Sequence, residues 1–152
     1  MGNQNLEPNR RQVLTIAGGS AAALLLAATP GLAADGGLRG HMRALAGKVY
    51  YTTEQPGRWK GKAGGHAPLI KVDKDGNDVL IRSATKHPMS RARHIVKHIL
   101  LDGELNFVKE QVFGIDFDMP RARFELQGYR GRFFIVSMCN LHDNWINYAD
   151  VA

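Results

Sequence analysis

Residues 69–81 read Leu69-Ile70-Lys71-Val72-Asp73-Lys74-Asp75-Gly76-Asn77-Asp78-Val79-Leu80-Ile81. Two short apolar runs, 69–72 and 79–81, flank Asp75-Gly76-Asn77, whose residue types suit the backbone of a tight hairpin turn. The same pattern continues outward. Apolar runs recur at 95–101, 107–113, 124–126 and 133–138, with turn signals at Asp102-Gly103, Asp118-Met119-Pro120 and Gln127-Gly128. At least six short strands joined by tight turns predict an all-β fold, an antiparallel β-sandwich, because no long helical period interrupts them. One short helical candidate lies at 38–45, inside a stretch rich in Gly and basic residues that also carries a Pro56-Gly57 turn.

The chain has 152 residues, 44% of them hydrophobic and 22% charged, which fits one globular domain and excludes a multi-domain enzyme. The 17 glycines are scattered, so a collagen-type repeat is excluded. Neither GxGxxG nor GxxxxGK[ST] occurs, which leaves a nucleotide cofactor without support. The net charge of +6 favours anionic partners without naming them. With one cysteine, Cys139, an intramolecular disulfide and a CxxC metal site are both impossible.

Residues 1–34 have the layout of an export signal: a polar start with Arg10-Arg11, an apolar stretch at 13–28, then small residues before Asp35. The paired arginines, followed by a mild apolar region containing Gly18, Gly19 and Ser20, resemble the twin-arginine class, which carries folded cargo. The expected organisation is a signal peptide at 1–34, an N-terminal arm at 35–58 and a β-sandwich domain at 59–152. Removal of residues 1–33 leaves 18 basic and 13 acidic residues, so the domain itself stays basic.

Chemistry concentrates in Ser137-Met138-Cys139-Asn140-Leu141-His142-Asp143-Asn144-Trp145. A thiolate and an imidazole three residues apart, in the turn leaving a buried strand, reach one metal ion from the same side. A catalytic Cys–His pair and an inert buried cysteine are the competing readings. Two further histidines sit beside proline, in His66-Ala67-Pro68 and Lys86-His87-Pro88-Met89, where a stiffened backbone restricts the imidazole. Mixed imidazole and thiolate ligands suit iron, copper or zinc. His41 stands outside every motif, and Arg121 and Arg123 read as one solvated strand face.

Three segments together resemble the iron domain of the superoxide reductase family, the neelaredoxins and desulfoferrodoxins. They are Trp59-Lys60-Gly61-Lys62 running to His66-Ala67-Pro68-Leu69-Ile70, then His87-Pro88-Met89-Ser90 leading into Ile95, then Cys139-Asn140-Leu141-His142 closed by Trp145. The resemblance implies an immunoglobulin-like antiparallel β-sandwich holding one mononuclear iron, with imidazoles around it and an axial thiolate. It places His66, His87 and His142 as imidazole ligands and Cys139 as the thiolate, with Trp145 packed over the metal loop. The implied reaction is one-electron reduction of superoxide to hydrogen peroxide in the periplasm. Partners would be a small redox protein as electron donor, the twin-arginine translocase during export and a second copy in a homo-oligomer, with no nucleic acid. A single cysteine excludes the additional four-cysteine iron centre of some family members.

Two departures stand out. The family's fourth imidazole lies six residues after the histidine of His-Pro-Met, and that position here is Arg93, with His94 next to it. A one-residue step turns a strand side chain to the opposite face, so His94 ligates only if a bulge corrects the register, and His98 is the second candidate. His94 is the expected ligand. The family's Glu-Lys pair before the first ligand is replaced by Gly64-Gly65, a pair expected to leave a mobile loop on which Lys62 or Lys60 swings in to supply the positive charge that draws superoxide, with Lys86 beside His87 as another candidate. Lys62 is the expected catalytic cation. The alternatives are a non-catalytic iron-binding or electron-carrier protein on the same fold, and an anion-binding adaptor without metal.

Overall fold

The structure, a computed structural model, describes residues 43–116 and 119–152. The export signal expected at 1–34, the start of the helical candidate at 38–42 and His41 lie outside the described residues; Arg43, Ala44 and Leu45 are helical. Eight strands follow: β1 (Tyr50–Tyr51), β2 (Leu69–Asp75), β3 (Asp78–Ala84), β4 (Ile95–Leu101), β5 (Phe107–Val112), β6 (Arg121–Gln127), β7 (Gly131–Cys139) and β8 (Asp143–Val151). One helical turn, α1 (Ala63–His66), precedes β2.

Residues 69–81 form the expected hairpin, with Asp75 opposite Asp78 and Gly76 at φ 57°. The strands build two sheets, one in the order β1-β8-β7-β4-β5 and the other β2-β3-β6. All pairings are antiparallel except that of β1 with β8. Alternation does the sorting: in β3, Val79, Ile81 and Ser83 are buried while their neighbours are not. Val79, Ile81, Ala122 and Phe124 from the smaller sheet meet Ile95, Leu100, Phe133, Ile135 and Val151 from the larger one to form the core. This is the β-sandwich the turn spacing predicts.

Two strands lie outside the six expected. In β8, Asn144, Asn147 and Asp150 interrupt the apolar alternation, yet the strand pairs with β7 from Cys139↔Asp143 to Gly131↔Val151. β1 has only two residues, and its Tyr51 is 1% exposed against the 0% exposed Trp145, the rings 5.7 Å apart. The segment read as an arm thus contributes an edge strand to the larger sheet. The segment folds closely on itself at the Pro56-Gly57 turn: Gly57 sits at φ 47°, and a Cβ there would fall 1.9 Å from the Gly47 carbonyl oxygen.

In β4 the register against β7 shifts between Ile95 and Lys97, so Val96 is an extra residue. Ile95 and His98, three apart, are therefore both completely buried, as is Leu100. His98 sits between the sheets, its Nδ1 2.8 Å from Ser83 Oγ and its Nε2 2.9 Å from Thr85 Oγ1. Thr85 Oγ1 continues to Ser137 Oγ at 3.0 Å, and the Phe113 ring packs edge-on to the imidazole at 4.9 Å.

Burial pushes the His98 imidazole from 6.5 down to about 4. The unfolded chain therefore takes up this proton first as pH falls, so the stabilisation is complete above about pH 6.5 and is lost progressively toward pH 4. Urea midpoints measured across this window are expected to fall with pH, His98 accounting for on the order of 3 kcal/mol. In His98→Gln the slope is expected to shrink.

Candidate metal centre

Three loops at one end of the sandwich deliver the site. The first is α1, whose single turn is closed by the Ala67 N–H donating to the Ala63 carbonyl at 2.9 Å. Gly64 and Gly65 lie within it, so the mobile loop expected from the glycine pair is instead a helical turn that presents His66 from its last position. The His66 Nδ1–H donates to the Lys62 carbonyl at 2.8 Å, which directs the Nε2 lone pair inward. The second loop follows β3. There the His87 Nδ1–H donates to the Pro88 carbonyl at 2.6 Å, again leaving Nε2 for the centre.

The third loop is the three-residue turn Asn140-Leu141-His142 between β7 and β8. It ends on Asp143 at φ 61°, a left-handed position that an aspartate tolerates. Cys139 and His142 thereby face each other, Sγ 3.5 Å from Nδ1. His66 Nε2 is 2.9 Å from the same His142 nitrogen, and His87 Nε2 is 3.8 Å from the sulfur. One ligand atom from each of His66, His87, Cys139 and His142 lies within 4.8 Å of the others. Cys139 is 8% exposed, and His66 and His87 are buried.

Burial disfavours charge on two of the imidazoles. Burial is the main cause that lowers His66 to about 4, with the charges His87, His142 and Lys62 would carry acting the same way. Burial also lowers His87, aided by His142, Arg93 and His94. A neutral imidazole offers a lone pair, and the three imidazoles with one thiol sulfur form a donor set that fits a borderline transition ion.

Of the five histidine and cysteine ligands expected, the structure brings four together. His94 stands outside. Its backbone is held by Asn140, whose Oδ1 accepts from the His94 N–H at 2.8 Å and whose N–H donates to the His94 carbonyl at 3.1 Å. His94 lies one residue before the Ile95↔Cys139 pair, ahead of β4, and its Nδ1–H donates to the Ser90 carbonyl at 3.0 Å. The bulge at Val96 follows His94 and so restores the phase of His98 instead. His98 has both ring nitrogens engaged by Ser83 and Thr85. The Lys62 side chain is exposed and its charge is felt at His66, while its carbonyl orients that ring.

Three supporting residues carried no role in the sequence reading. Asn140 ties the cysteine turn to the loop before β4, adding an Nδ2 bond to the Ala92 carbonyl at 3.2 Å. Asp143 accepts from Arg58 and, at 2.9 Å, from the Trp59 Nε1–H, and these two donors hold its carboxyl below the usual range. Trp59 in turn sets its ring edge-on to His142 at 4.7 Å. Their signal was present in the motifs as Asn next to Cys and Asp next to His. Trp145 packs under the turn as expected, its Nε1–H donating to the His142 carbonyl at 2.9 Å.

At one end of the β-sandwich, then, stands a largely buried histidine–thiol cluster with the donors to hold a metal ion. Solved superoxide reductase structures are similar to this chain. Superoxide reductase (neelaredoxin) from Ignicoccus hospitalis is 24% identical, with 69% of this chain and 95% of that one covered at a TM-score of 0.57. A superoxide reductase crystallised in the oxidised state is 25% identical, over 68% and 97% of the two chains, at 0.55. Superoxide reductase from Nanoarchaeum equitans is 20% identical, over 58% and 94%, at 0.53. These likenesses establish the fold as that of the superoxide reductases. No family model matches the chain, and no curated protein matches it.

The Asp143 anchor generates a prediction. Asp143→Asn keeps a residue that accepts the left-handed backbone but removes the charge that holds Arg58. Metal retention in chelator competition is expected to weaken about tenfold, with an unfolding loss of about 1 kcal/mol.

Proposed function

We propose that the chain is a superoxide reductase with one mononuclear iron, exported to the periplasm by the twin-arginine route. The observation that carries this reading is the convergence of His66 Nε2, His87 Nε2, His142 Nδ1 and Cys139 Sγ within 4.8 Å on the superoxide reductase fold. His66, His87, His142 and Cys139 would hold ferrous iron, which would supply the single electron that, with two protons from solvent, takes superoxide to hydrogen peroxide. The chain's own residues do the rest. The Lys62 and Pro88 carbonyls hold His66 and His87 in one tautomer, and the buried Cys139 offers an electron-rich sulfur shielded from water.

Positive charge surrounds the ligands. Lys60, Lys62, Lys86, Arg91 and Arg93 are exposed on the two histidine loops, and no Asp or Glu occurs at 55–72 or 79–101. Such a rim draws a small anion, and Lys62, beside His66, is the cation assigned to superoxide. Export rests on Arg10-Arg11 and the apolar run behind them, and a small redox protein would return the electron. A second reading, an electron carrier on the same fold, is favoured by His94 standing outside the cluster and by Gly64-Gly65 in place of the Glu-Lys pair.

Metal analysis and visible absorption, coupled to rapid mixing of the ferrous protein with superoxide, test the proposal. One iron per chain is expected, with a sulfur-to-iron absorption band that Cys139→Ser abolishes and His94→Ala leaves in place. Rapid oxidation by superoxide, slowed as salt is raised and slowed by Lys62→Ala, supports the reductase. The same band with sluggish oxidation favours the carrier, and a protein that takes up no iron sinks both.

A further inference from the structure

We propose that His98 is a positioning residue for the metal centre, a polar clamp across the sandwich that sets the spacing between the His87 and Cys139 donors. The proposal rests on the metal-centre reading above and concerns residues that do not touch the ion. His98 belongs to β4 in the larger sheet, opposite Ser137 of β7, and its two hydrogen bonds reach Ser83 and Thr85 at the end of β3 in the smaller one. Thr85 also reaches Ser137 directly. Three hydrogen bonds therefore join the sheets at this end, through side chains that are all at most 3% exposed.

The position of the clamp is what links it to the site. Thr85 lies two residues before His87, and the Thr85 carbonyl accepts from the His87 N–H at 2.8 Å. Ser137 lies two residues before Cys139, on the same face of β7. The clamp thus fixes the bases of the two arms whose tips, His87 Nε2 and Cys139 Sγ, stand 3.8 Å apart. Packing alone does not call for it, since apolar side chains of similar volume fill such space at no greater folding cost. Apolar surfaces slide, whereas a chain of hydrogen bonds is satisfied in one arrangement only. Among the described residues no buried side-chain polar atom lacks a partner, so the network is complete as built.

The test uses cobalt(II) as the probe, read by its ligand-field and sulfur-to-metal bands and by competition with a chelator. The unmodified protein is expected to show a sulfur band that Cys139→Ser removes. The combined change Ser83→Ala, Thr85→Val, His98→Leu and Ser137→Ala replaces the network with apolar volume. It is expected to unfold no earlier than the unmodified protein, yet to shift the cobalt bands and weaken cobalt binding about ten- to a hundredfold. His98→Gln, which retains a donor and an acceptor, is expected to move both readouts back toward the original. Should the combined variant not fold, Ser137→Ala removes one hydroxyl at the β7 end and is expected to shift the bands in the same sense. Spectra and affinity that superpose on those of the unmodified protein, in whichever variant is read, overturn the clamp alone. A sulfur band absent from the unmodified protein overturns the metal centre, and the clamp with it.

Discussion

The three-residue turn between β7 and β8 is the constraint on which the site depends. A hairpin this short fixes Cys139 and His142 relative to each other by backbone geometry before any ion arrives. Every other loop at this end docks against that turn. Asn140 catches the segment before β4, Asp143 catches Arg58 and Trp59, and Trp145 closes it from below. The sandwich supplies rigid strands on either side, so the ordering entropy of bringing four donors together is met during folding.

Much of this was legible in the sequence because the relevant physics is local. Apolar alternation and turn residues marked six strands, and the Cys-Asn-Leu-His spacing marked two donors on one side of a turn. What was not legible depends on partners distant in sequence. β8 is carried by pairing with β7 rather than by its own alternation, so its asparagines hid it. The phase of β4 turns on one extra residue, Val96, which no periodicity reveals, and that residue decides that His98 points inward. The glycine pair before His66 read as a loop because glycine disfavours helix, yet the first turn is held by contacts at both ends.

The electrostatics of the site divide into two layers. Inside, burial disfavours the charged forms of His66 and His87, so an ion placed there would be the dominant local charge. Outside, exposed lysines and arginines face solvent without acidic neighbours on the same loops. Exposed cations of one sign raise the local concentration of anions, an effect that weakens as salt is raised.

β8 occupies the second place in its sheet, between β7 and the short β1 that precedes it by about ninety residues. Tyr51 and Trp145, the two largest fully buried side chains, meet across that pairing. The first strand of the domain can therefore find its place only when the last has been made. Tyr51 thus waits for Trp145: this edge of the sheet is closed by a strand made much later than the one it receives, so order at residues 50–51 follows order at 143–151 rather than preceding it.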